Sequence, residues 1–150
     1  MLEKLKNLIR WFPVIWNDKD YDFSFIYAIL KFKLQNISNQ MKKDSCYIGR
    51  DREVELIDTV ISLISKIDSD EYALEWANYA GDMVGFIEGK FVIKPNQVTL
   101  KDFLKKYKRY DSKVTGTDLS RAMQISYLNH QRAKKLLFKI LETRIEYWWT

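Results

Sequence analysis

Apolar residues recur along this chain of 150 residues with the period of helices rather than strands. Leu2, Leu5, Leu8, Ile9 and Phe12 step by three and four, with Lys4, Lys6 and Arg10 among them. This predicts a short amphipathic helix that stops before Pro13. Its basic face suits a membrane surface. The expected fate is instead to dock on the rest of the domain, because a lone short helix is marginal in water. A loop from Val14 follows, ending in Asp18, Asp20 and Asp22. Their spacing is that of a calcium loop, but Phe23 stands where glycine is required and Ile29 where a bidentate glutamate belongs. Calcium is therefore rejected, and the carboxylates are read as N-caps for the next helix.

The strongest stripe begins there. Phe23, Ile26, Leu30, Leu34, Ile37 and Met41 line one side of a long helix. Asp44 to Gly49 reads as a turn. A second strong helix carries Val54, Ile57, Val60, Ile61, Ile64 and Ile67, with Leu56 and Leu63 on another side, so it is expected to be covered on more than one face. Asp68 to Glu71 is read as the cap of a third helix carrying Tyr72, Leu74, Trp76 and Tyr79. Gly81, Gly85 and Gly89 then precede Phe91-Val92-Ile93. That stretch is either a helix packed through its glycines or a loop with a short extended piece near 90–95. Thr99 opens a short basic helix ending near Tyr110, and Thr117 caps a long tract. The tract's stripe is Leu119, Met123, Ser126, His130, Ala133, Leu137, Leu141, Arg144 and Trp148, either in one helix or broken near Asn129.

The elements describe an all-α or mainly α fold, a compact helical bundle or orthogonal helical domain of about five to six helices. One domain over 1–150 is expected, since no repeat, low-complexity tract or linker interrupts the chain. Composition agrees: five Gly and two Pro supply too little turn chemistry for a sandwich or barrel, and a hydrophobic fraction of 47% excludes disorder. A net charge of +5 is too mild for a dedicated nucleic-acid binder and has the wrong sign for a DNA mimic. Cys46 is the single cysteine, so an internal disulfide and a thiolate zinc site are both ruled out, and a free thiol fits a reducing cytosol. The first residues lack a secretory signal, and no apolar run reaches membrane-spanning length.

Three basic side chains sit on faces that should be buried: Lys33 within the first long stripe, and His130 and Arg144 in the last. An unpaired charge in a core costs several kcal/mol, on the order of 3–5. Either acids among Asp20, Asp22, Glu53 and Asp58 neutralise these groups, or they reach the surface. The third option is that they converge with Trp148 or Trp149 on an anionic ligand such as a nucleotide. His130 is the only histidine, so a two-histidine metal site is out of reach, and no nucleophile is tied to it by a motif. Glu71, Glu75 and Asp82 do not find the second acidic motif that a magnesium-dependent pyrophosphatase requires, and are read as solvated surface. Lys101, Lys105, Lys106, Lys108 and Arg109 interleave with Phe103 and Tyr107. They are the candidate nucleic-acid contacts, against the plainer reading of a solvated helix face. No metal and no cofactor is expected.

The segment Tyr21-Asp22-Phe23-Ser24-Phe25-Ile26 through Phe32-Lys33-Leu34 and Met41, then Val54-Glu55-Leu56-Ile57, resembles a group of uncharacterised small tailed-phage proteins. The C-terminal His130-Gln131-Arg132-Ala133 and Ile145-Glu146-Tyr147-Trp148-Trp149 are similar to the end of that group. The likeness leaves the middle, roughly 82–116, unmatched, and Thr150 stands where that group has aspartate. It implies a viral accessory protein. The leading expectation is a non-enzymatic binding module in the host bacterial cytoplasm that counters defence by binding a host protein or sequestering an anionic nucleotide. The rivals are a nucleotide-processing enzyme using His130 or the acidic clusters, and a nucleic-acid-binding protein.

Overall fold

The first helix, α1 (Leu2–Ile15), runs past the proline that was expected to end it. Pro13 lies in the last turn, where its missing N–H removes only one ladder bond, and the Trp16 N–H still reaches the Phe12 carbonyl at 2.9 Å. The structure, a computed structural model, describes residues 2–16, 22–43, 49–81, 83–87, 90–93 and 97–148. Among them are six α-helices, two 3-10 helices and one two-stranded β-hairpin, so the chain is mainly α-helical as its periodicity predicts. It divides into two compact units, Met1–Asp68 with Lys139–Thr150, and Ser69–Phe138.

In the first unit, α2 (Phe23–Lys43) lies along α3 (Arg50–Asp68). The cap is as expected: the Asp22 carboxylate accepts the Ser24 N–H at 2.9 Å. Asp18 and Asp20 lie outside the described residues, as do Cys46 and most of the turn before α3. α3 begins with Asp51 and Glu53 and ends near Lys66, an order that suits its dipole. Val54, Ile57, Val60, Ile64 and Ile67 are buried, and Leu63 is buried on the adjacent side. The α2 stripe is less faithful: Leu34 is buried, while Phe23 and Ile26 stand exposed. The α2–α3 seam is closed by polar groups. Ser38 is buried and donates to Asp58 Oδ1 at 2.8 Å, and Lys42 Nζ donates to Oδ2 at 2.9 Å. The unit ends with the 3-10 turn Ile145–Trp148.

In the second unit the expected third helix shrinks to one turn, α4 (Ala77–Ala80). Residues 69–76 form turns instead, with Asp70 in the left-handed region at φ 54°. The reason is tertiary: the Trp76 N–H is drawn to the Ser126 Oγ at 3.1 Å, and the Ala77, Asn78 and Tyr79 amides that follow bond three residues back rather than four. Strands β1 (Met83–Ile87) and β2 (Lys90–Ile93) pair antiparallel, Phe86 opposite Phe91, with an irregularity between Met83 and Gly85. The extended alternative for this stretch is therefore the one adopted. Helix α5 (Gln97–Lys106) ends before Tyr110, and Lys108–Lys113 tightens into a 3-10 helix. Gly116, at φ 99°, supplies the bend that a side chain would resist, and Thr117 then caps α6 (Asp118–Arg144). α6 is unbroken at Asn129. Leu100, Phe103, Leu104, Tyr110, Val114, Ala122 and Ile125 make this unit's core, flanked by Trp76, Tyr79 and Tyr107.

Candidate functional site

The burial of α6 follows its predicted stripe from Ser126 onward. Ser126, His130, Ala133, Leu137, Leu141 and Trp148 are buried, Arg144 is half-buried, and Met123 is exposed. The stripe's polar members divide between the two units and meet different fates.

In the first unit Arg144 is neutralised. Its Nη2 lies 3.1 Å from Oε1 of Glu53, a carboxylate almost entirely out of solvent. The other oxygen of Glu53, Oε2, accepts the Trp148 indole N–H at 2.9 Å. Two of the five residues expected to line an anion pocket are thus gathered on a single carboxylate. A buried carboxylate with one charged and one neutral donor satisfies the arginine while excluding a second anion from the same spot. The Arg144 guanidinium also lies 5.7 Å from the Tyr147 ring centre. Lys33 is half-buried on α2 and takes part in contacts of its own. Trp149 lies outside the described residues.

In the second unit His130 is buried, and its Nδ1 has no hydrogen-bond partner among the described residues. Burial pushes its pKa below the ordinary histidine value, the Lys134 ammonium pushes it further down, and Asp70 opposes them. The balance of these effects favours the neutral ring. One residue back, Asn129 is buried and accepts the Tyr110 hydroxyl on Oδ1 at 2.9 Å, while its Nδ2 has no partner among the described residues. His130, Asn129 and Ser126 thus form a polar strip on a face that is otherwise aliphatic.

The basic segment is exposed, but two of its cations are engaged. Lys106 Nζ donates to Glu75 Oε1 at 2.9 Å, and the Tyr107 hydroxyl reaches both Glu75 oxygens at 2.7 and 2.8 Å. The Glu75 hydrogen bond raises the Lys106 pKa, and desolvation together with Glu75 raises that of the Tyr107 phenol. Arg109 lies over the rings of Tyr107 and Tyr110, 5.8 and 5.0 Å from their centres. Lys101, Lys105 and Lys108 project into solvent. Glu75, read from sequence as solvated surface, is the organising group here. Its partners come 31 and 32 residues later, a separation that no local pattern reveals.

Among the described residues no group of three His, Cys, Asp or Glu is placed to hold a metal, and no helix is long and apolar enough to cross a membrane. The feature left in solvent is apolar. On α6, Met123, Tyr127 and Phe138 are exposed at 45%, 60% and 56%. Their spacing puts them within about 60° of one another, with Lys134 between. In a comparison with protein-family models, curated proteins and solved structures, the chain matches none.

Proposed function

We propose that this chain is a tailed-phage accessory protein that acts in the bacterial cytoplasm by binding a host protein, as a non-enzymatic counter to host defence. The observation that supports binding is the α6 ridge of Met123, Tyr127 and Phe138. Aromatic and methionine side chains are the groups enriched at protein interfaces and at their hot spots. Each is 45–60% exposed, so leaving them in water forgoes roughly half of the about 1.5–3 kcal/mol that full burial of such a side chain supplies. Lys134 lies within the ridge and Lys135 to one side of it, so the complementary partner surface is an apolar groove that carries acidic groups. The phage origin is supported by the resemblance at the two ends of the chain.

Nucleotide sequestration is the weaker branch, because Glu53 already occupies Arg144 and Trp148. The test is affinity capture from bacteria expressing the tagged chain, followed by reconstitution of the captured host protein with the purified chain. A one-to-one complex that the double variant Tyr127→Asp, Phe138→Asp fails to form, with unchanged far-UV circular dichroism, supports the proposal. Undiminished binding by that variant removes the ridge from it. A nucleotide that raises the melting temperature of the chain with no protein partner would favour the other branch.

A further inference from the structure

Helix α1 is amphipathic, yet it turns the wrong face inward. Leu2, Leu5, Leu8, Ile9, Phe12 and Ile15 are exposed at 51–71%, Trp16 just beyond at 73%, and no residue of the helix is buried. At about 100° per residue these side chains share one arc about 140° wide. The helix is held to α2 through residues outside that arc. Trp11, half-buried, meets Phe32 edge-on with ring centres 4.8 Å apart, and Val14 is half-buried beside it in sequence space on the same side. The docked helix that the sequence led one to expect would have put the leucines against α2. The opposite arrangement leaves the whole apolar arc uncovered.

The charges around the arc say what covers it. Lys4 borders one edge, Lys6 borders the other, and Arg10 lies behind Lys6. Glu3 is the single acid of the helix and pairs with Lys6 at 3.3 Å in full solvent, leaving α1 with a net charge of +2. A second copy meeting the first through this face would bring like-charged rims together. A peptide groove is filled by a narrow line of anchors, whereas here the apolar arc is broad and its two edges are both cationic. That is the pattern of a helix lying flat on a surface that is oily below and anionic at its rim.

We propose that α1 is a membrane-surface helix, lying in the plane of an anionic bilayer with its leucine, isoleucine and phenylalanine face among the upper acyl chains and Lys4 and Lys6 at the headgroups. Trp16 then sits at the interface depth that indole favours. The attachment is peripheral and leaves α2 and α3 on the water side of α1.

Co-sedimentation of the whole chain with vesicles tests this. Phosphatidylglycerol–phosphatidylethanolamine vesicles should pellet the protein at low salt, and phosphatidylcholine vesicles should leave most of it in solution. Added salt should release it. Leu5→Asp with Ile9→Asp should lower the partition about tenfold or more, with the melting temperature unchanged because neither side chain is packed. Lys4→Gln should lower it about fivefold, and Arg10→Gln, on the far side of the helix, should lower it less. Independently of any folding change in those variants, the tryptophan emission of the native chain should shift to the blue on anionic vesicles, and Trp16→Phe should lose most of that shift. The inference is overturned if the native chain stays in the supernatant with anionic vesicles, or if it binds both vesicle types equally. It is overturned too if light scattering shows a dimer or a complex with a protein partner that the Leu5→Asp, Ile9→Asp pair abolishes.

Discussion

The indole of Trp148 donates to Glu53 Oε2 across 95 residues of chain, and Arg144 holds the other oxygen of the same carboxylate. The end of the chain is thereby fastened to the first turns of α3 by a single buried acid. Glu53→Gln removes the charge that balances Arg144 and is predicted to destabilise folding by about 2–3 kcal/mol. Trp148→Phe keeps most of the packing, loses one neutral–charged hydrogen bond and should cost about 1.5–2 kcal/mol. Urea titration followed by circular dichroism measures both. A Glu53→Gln cost under about 0.5 kcal/mol, within ordinary surface scatter, would show that the contact contributes nothing.

His130 predicts a pH dependence with a definite sign. Its pKa in the folded chain is depressed below 6.5, chiefly by burial. The unfolded chain therefore binds the extra proton first as acid is added. Stability is fully present above pH about 6.5 and declines as pH falls through that value toward the folded pKa, where the slope ends. Asp58 does not confuse the measurement. Burial works to raise its carboxyl's pKa, but hydrogen bonds from Lys42 and Ser38 outweigh burial and hold it below the ordinary 3.8, so its loss of stability comes at lower pH. Melting temperatures taken from pH 7.5 to 5 should fall for the native chain and flatten for His130→Asn.

The Tyr110–Asn129 hydrogen bond lies inside the second unit's core. Tyr110→Phe strands the Asn129 carbonyl where water does not replace the hydroxyl, and should destabilise by about 1–2 kcal/mol. Asn129→Leu in the Tyr110→Phe background removes the stranded amide and should recover part of the loss. A double-mutant cycle showing no coupling would mean that the bond is not maintained in solution.

Phe103 is fully buried between Tyr79 and Tyr107, with ring centres at 5.0 and 4.9 Å. Phe103→Ala leaves a cavity among aromatic rings and is expected to cost about 3–5 kcal/mol. Phe103→Leu should cost less than half as much. Both are readable from the midpoint of chemical unfolding.

The ridge on α6 makes the contrasting prediction. Tyr127→Asp and Phe138→Asp replace exposed side chains and should leave stability within about 0.5 kcal/mol of native. Large destabilisation by either would mean that the side chain packs within the fold and is not offered to a partner.

The periodicity of this sequence by itself determined the helical class, the buried line of α3 and the later part of the α6 stripe. Repeats of three and four residues leave a buried side no other place to be. It also identified Asp22 and Thr117 as caps, because a cap bonds within three residues of itself. What local pattern does not contain is the partner of a group. Only the tertiary structure chose Glu53 for Arg144 and Trp148, and Glu75 for Lys106 and Tyr107. Only it diverted the Trp76 amide to Ser126 and so dissolved most of an expected helix. The same holds for α1. Its amphipathic character is written in its spacing, but which side meets α2 depends on Phe32 lying opposite Trp11. That pairing turns the leucines outward and sets what the helix offers to its surroundings.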